Sequence, residues 1–301
     1  MNVISPTLVQ EGWLQQVEAI QQQMSRVQQE ASTGLAFSTP AENPVGTAAV
    51  IALDAQKNAA RNFEASQNTA ANVLQVVAGS LGGMTHVLQQ AEQLAIAMDS
   101  PTASGSTGAA LSEAQALLGQ LTELLNTQTD GYYVFAAADP LTPVATSVAL
   151  INVPSSASTA PWTWELPVAP GLDTPISVNG FEPGIQAGGV SGFSVALQAL
   201  NTLVTEVASG STATAQGEIH QALSALTTAT AVTGTYQDMV QQTGSQMQTW
   251  LTALSSQLSG TEDANMAQVA SSLSTTETIY QAALRAGSTL LQANLWTVIK
   301  P

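Results

Sequence analysis

A chain of 301 residues is long enough for two or three domains with a real buried core. Only 9% of its residues are charged, against about 25% in ordinary globular proteins, and five basic residues (Arg26, Lys57, Arg61, Arg285, Lys300) face 21 acidic ones, a formal charge of −16. Nucleic-acid binding, which needs a basic stripe, is excluded; anionic membrane surfaces are disfavoured; and the absence of cysteine removes disulfide and thiolate chemistry.

Taken in order, Trp13, Val17, Ile20, Met24, Val27 and Ala31 recur at alternating spacings of four and three, with Gln, Glu and Ser between them. A seam that narrow predicts a coiled-coil helix, which needs a partner to bury it. The helix should stop at Thr33-Gly34, where glycine suits a left-handed cap. Leu35 to Pro44 reads as a connector, and Asn43-Pro44 restarts the helix with proline in the first turn. The second helix should run to Met98 along Val73, Val77, Met84, Val87, Ala91 and Leu94, about 80 Å at ~1.5 Å per residue. Gly79, Gly82 and Gly83 inside it predict a bend or a close helix crossing. Ser100 to Gly108 reads as a turn. The third helix, with Leu111, Ala114, Leu118, Leu121 and Leu125 on one face, should run back antiparallel.

Asp130-Gly131 predicts a turn into a short strand over Tyr132 to Phe135. Residues 139–191 carry most of the thirteen prolines and read as a small β-rich insertion. Its extended runs are Ser147 to Val153, Trp162 to Val168 and Ile176 to Val178, with Asn179-Gly180 as the hairpin turn. Helix resumes at Phe193, breaks at Ser209-Gly210-Ser211, and continues from about Ala215 to Leu258. Ser259-Gly260 should end it, with Thr261 capping a last helix through Met266, Val269, Leu273, Thr276, Tyr280, Ala283, Gly287 and Leu290. The fold class expected is mainly α: a long antiparallel helical bundle formed by the two halves of the chain, with a β-rich domain inserted between them. The expected domains are 1–43 with 262–301 for assembly, 44–138 with 192–261 as the bundle, and 139–191 outside.

Chemistry has little to hold on to. His86 and His220 lie in helical stretches without a second histidine or carboxylate at helical spacing, and no metalloprotease, phosphate-loop or nucleophile-elbow motif occurs. No catalytic, cofactor-binding or metal-ligating residue is assigned. Trp162 and Trp164, two apart, fit either the core of the insertion or a platform for stacking a carbohydrate. No apolar run approaches the ~18 residues of a membrane span, and the N-terminus has no secretory signal pattern.

Three stretches carry a family resemblance: Ser32-Thr33-Gly34 with Pro44 ten residues on, Asp130-Gly131-Tyr132-Tyr133-Val134-Phe135-Ala136, and Leu258 to Ala267. With these the chain resembles bacterial flagellins and, more closely, the hook-associated proteins of the hook–filament junction. It departs from them at Leu35-Ala36, in place of a basic pair, at Glu42-Asn43, in place of an acidic pair, and at Ala138, in place of glycine. The resemblance implies a structural subunit without catalysis, exported unfolded through the flagellar secretion channel. It would form a homo-oligomer, a ring or helical assembly, between a neighbouring hook-associated protein and flagellin outside the cell, after release from an export chaperone. Assembly would run through Trp13, Val17, Ile20, Met24, Val27, Met266, Val269, Leu273, Tyr280 and Leu290. Two other readings are a filament flagellin and, in a different class, a surface adhesin that binds glycans through the insertion.

Overall fold

The computed structural model describes residues 6–99, 107–147, 149–153, 161–181, 185 and 191–299, with side chains between residues 11 and 289. Six helices account for most of it: α1 (Pro6–Thr33), α2 (Pro44–Met98), α3 (Thr107–Leu125), α4 (Gly192–Ser209), α5 (Ala213–Glu262) and α6 (Met266–Ile299). Four short strands form two hairpins, β1 (Gln128–Thr129) with β2 (Tyr132–Tyr133) and β3 (Glu165–Ala169) with β4 (Leu172–Pro175). The fold class read from the sequence is the one observed: mainly α, with a small β insertion. The chain divides into two compact units, Met1–Asn58 with Leu251–Pro301, and Ala59–Trp250.

In the first unit the residues that start and stop the helices act as the sequence predicts. Gly34 takes φ +74° and donates its N–H to Glu30 O at 2.9 Å, closing α1. Asn43 Oδ1 accepts from Gly46 N–H at 2.9 Å, and Pro44 opens α2. One boundary differs. Helix α5 runs through Gly260 and Thr261 to Glu262, because the Thr261 hydroxyl bonds back to Gln257 O (2.8 Å) instead of capping. Asn265, the stronger cap, accepts from Ala267 and Gln268 N–H and starts α6 four residues later than expected from Thr261.

The second unit holds one continuous core. It runs from Ala70 to Met98 of α2 through α3, Val134 to Ala136, Val168, Ile176 and Val178 to α4 and as far as Val240 of α5. α3 runs antiparallel to α2, with Leu124 against Gly83 and Ser80 Oγ bonded to Thr127 Oγ1 at 3.1 Å. A Cβ on Gly83 would stand 3.1 Å from Leu124, so the close crossing expected from the glycine cluster is made by Gly83; Gly79 and Gly82 face open space. Asp130 (φ +52°) and Gly131 (φ +84°) make the tight β1–β2 turn, both residues left-handed as such a hairpin requires.

In the insertion the hairpin turn lies at Pro170-Gly171, with Gly171 at φ +73°, and not at Asn179-Gly180. Asn179 instead donates to Trp162 O (3.0 Å) and accepts from Phe181 N–H, an Asx turn over Gly180 that anchors the segment without forming a hairpin. Among the described residues of Ser147 to Val153 the strand pairing is limited to the isolated bridge between Ala145 and Leu150. Trp162 and Trp164 are both half-buried against the core, and Trp164 meets Tyr132 edge to face at 5.2 Å. The expected turn over Ser100 to Gly108 lies mostly outside the described residues.

Candidate assembly interface

The residues singled out at the two ends of the chain come together along α1 and α6. Trp13 Nε1–H donates to Ala283 O at 3.0 Å, and its indole lies against Gly287, where a Cβ would overlap the ring. Gln21 Nε2–H reaches Tyr280 Oη at 3.1 Å. Further along, Gly34 O accepts from Ala264 N–H and Glu262 O from Ala36 N–H, each at 2.7 Å, around a bridge between Leu35 and Asp263. Partners on α1 rise in number as those on α6 fall, so the two helices are antiparallel. The backbone bridge between the two connectors fixes their register.

The apolar seam is only partly closed by this pairing. Val17, Val27 and Val269 are buried, as is Thr276, whose hydroxyl is satisfied by Ser272 O. Trp13, Ile20, Met24, Leu273 and Tyr280 are half-buried, whereas Met266, the first residue of α6, is 50% exposed. The side chain of Leu290 lies outside the described residues. Beside the seam, Leu14, Ile279 and Leu284 stand 43–49% exposed. Sequence reading at heptad spacing missed these three, because they lie one position off the seam. Their alternation with the seam residues, which widens the apolar stripe, is the signal that could have found them. Exposed apolar groups clustered along a pair of helices are the kind of feature that marks association sites in general.

Charge plays a small part here. Arg26 Nε stands 3.8 Å from Glu30 Oε1 on the exposed side of α1, a pair worth little in water. Glu42 matters more to the connector. Its carboxylate accepts from Ser38 and Thr39 N–H at 2.8 and 3.2 Å, which holds its pKa below the ordinary carboxylate value, with a further small contribution from Arg26. Among the described residues no group of three or more His, Asp or Glu could hold a metal ion, and no helix is long and apolar enough to cross a membrane. His220 meets Glu92 at 3.4 Å across α5 and α2, a contact that sequence spacing could not show.

With this geometry in hand, comparison with known proteins is informative. Residues 4–139 match the family model of the bacterial flagellin N-terminal helical region. No curated protein matches the chain. Solved structures share the fold, and three of them illustrate it. A chain assigned as a flagellar hook-associated protein from Vibrio parahaemolyticus aligns with TM-score 0.60 and 10% identity over 74% of this chain and 100% of its own. The flagellar hook-associated protein 3 of Legionella pneumophila aligns at 0.55 with 14% identity, over 70% and 98%. Bacillus cereus FlgL aligns at 0.50 with 18% identity, over 70% and 97%. Residues 4–139 are thus flagellin-like, and the architecture places the chain among flagellin-like folds. Within that class the chain has the fold of the FlgL-type hook-associated proteins.

Proposed function

We propose that the chain is a structural subunit of the bacterial flagellum, seated at the junction between hook and filament and assembled through α1 and α6. The observation that carries this reading is the antiparallel pairing of the two ends of the chain, pinned in register by Trp13 on Gly287 and by the connector bridge, with Leu14, Ile279 and Leu284 left for neighbours. The flagellin-like N-terminal region and the fold shared with hook-associated proteins support it. In this role the protein is structural and not catalytic. It leaves the cell through the flagellar export channel, is held by an export chaperone beforehand, and meets a neighbouring hook-associated protein on one side and flagellin on the other.

Filament flagellin is the second reading, favoured by the name of the family model that fits residues 4–139. Incubating purified hooks with the protein and imaging them by negative-stain electron microscopy separates the two. A junction subunit adds a short cap to hook ends and stops there. Long filaments would establish flagellin, and bare hooks would remove both readings.

A further inference from the structure

Two side-chain links of different chemistry tie the β3–β4 hairpin to the helices of the unit Ala59–Trp250. On β3, Val168 is fully buried and its carbonyl accepts from Gln67 Nε2–H of α2 at 2.6 Å. On β4, Thr174 is fully buried and its hydroxyl donates to Met239 Sδ of α5 at 3.4 Å. A thioether is a weak acceptor, but a hydroxyl shut away from water that loses its partner carries the whole desolvation penalty. Met239 itself is 37% exposed, so the link is buried at the threonine end and open to solvent at the sulfur end.

That position sets Met239 apart from the other methionines. Met84, Met98 and Met247 are buried, Met24 is half-buried, and Met266, exposed at the start of α6, has no part in the hairpin. With no cysteine in the chain, a two-electron oxidant acting on sulfur meets only thioethers. Hydrogen peroxide gives one oxygen to the sulfur: a sulfur lone pair forms the S–O bond and the O–O bond breaks. The hydroxide set free takes the proton from the new S–OH group and leaves as water. Sulfur is oxidised by two electrons and the peroxide is reduced by two. A thioether sulfur has two lone pairs, and the Thr174 hydroxyl occupies one of them from the buried side. Oxygen therefore adds to the other, which faces solvent, and a single sulfoxide epimer results. A polar S–O group directed at water turns the side chain outward and leaves the Thr174 hydroxyl without its acceptor.

We propose that Met239 is an oxidation site whose conversion to the sulfoxide releases β4 from α5. The inference is independent of the junction reading. Its test treats the full natural chain with hydrogen peroxide and follows each methionine by peptide mass mapping. Met239 should be oxidised ahead of Met84, Met98 and Met247. In the isolated peptide, one of the two epimer-specific methionine sulfoxide reductases should restore Met239 and the other should not, whereas chain oxidised in urea should yield both epimers. Amides of residues 172–176, among them Ile176 N–H bonded to Trp164 O at 2.8 Å, should exchange about tenfold faster after oxidation, the scale of one lost hydrogen bond. Exchange in α3 should not change. Met239→Leu given the same peroxide should keep its untreated exchange, which assigns the effect to this sulfur, and Thr174→Val should yield both epimers at Met239. The proposal is overturned by oxidation of Met239 no faster than that of the buried methionines, or by equal epimers in the folded natural chain. Unaltered exchange at 172–176 with Met239 oxidised, or the same acceleration in treated Met239→Leu, overturns it as well.

Discussion

Single residues in this protein hold segments that no regular ladder holds. Asn152 accepts from Ala138 and Asp139 N–H and donates to Asp139 O and to Thr142 O (3.0 Å), fixing the loop that enters the insertion. Asn126 does the same for Val144 and Ala145. Asn152→Ala removes a buried side chain and leaves two N–H groups and two carbonyls of an exposed loop without their partner, and we expect a loss of roughly 1–3 kcal/mol by urea unfolding. A change within ~0.5 kcal/mol would show the hub to be dispensable. Gly287→Leu should be equally telling, because any side chain there displaces Trp13: we expect ~1–3 kcal/mol of destabilisation of the α1–α6 pairing and a red-shifted Trp13 emission. Glu42 gives a pH signature. Its folded pKa lies below the unfolded value of ~4.3, so the stabilisation is present above that value and is lost as pH falls through the lower, folded one. Amide exchange at Ser38 and Thr39, corrected for intrinsic rates, should therefore accelerate in the natural chain only once pH falls below the ordinary carboxylate range, and be fast at every pH in Glu42→Gln.

At the scale of elements, what could be read from the sequence was what local chemistry decides. Gly34 and Asn43-Pro44 set the ends of α1 and α2, Asp130-Gly131 set the first hairpin, and the spacing from Trp13 to Val27 gave the buried face of α1. Features decided by contacts distant in sequence were not legible. Nothing around Leu35 announces that it bridges Asp263, and nothing around Gln67 announces a carbonyl at Val168. Asn179-Gly180 looks like a hairpin turn to local rules, but it makes an Asx turn whose asparagine also anchors Trp162, while Pro170-Gly171 makes the hairpin. The last cap shows competition: Thr261 and Asn265 could each start α6, and the hydroxyl of Thr261 is already used inside α5. For the paired termini, Ile20→Glu or Leu273→Glu puts a carboxylate into the seam. Either should abolish retention on hooks while circular dichroism shows the helices of the unit Ala59–Trp250 intact. Natural retention by both variants would contradict the role given to the seam.

For the whole molecule, the scarcity of charge has a thermodynamic consequence. Many polar links are made by groups that do not titrate, Gln67 to Val168, Gln237 to Leu74, Thr212 to Ala95 (2.7 Å) and those of Asn126, Asn152 and Asn179, beside titrating ones such as His220–Glu92, Ala215 to Glu206 and Gln198 to Glu218. Among the described residues the Arg26–Glu30 pair joins a basic side chain to a carboxylate, and it is exposed. With five basic residues and two histidines in 301, full protonation of the carboxylates leaves little positive charge to drive the chain apart. The midpoint of thermal unfolding should therefore stay within about 4 °C between pH 7 and pH 3, roughly 1 kcal/mol for a chain of this size. A cooperative acid transition near pH 4 would contradict that. The central claim, that α1 and α6 form the surface through which copies associate, is tested most directly by hydrogen exchange of the chain free in dilute solution and bound to hooks. Amides of residues 11–33 and 266–289 should exchange rapidly in the free chain and gain strong protection on the hook. Equal protection at both ends in the two states would show that assembly takes place elsewhere.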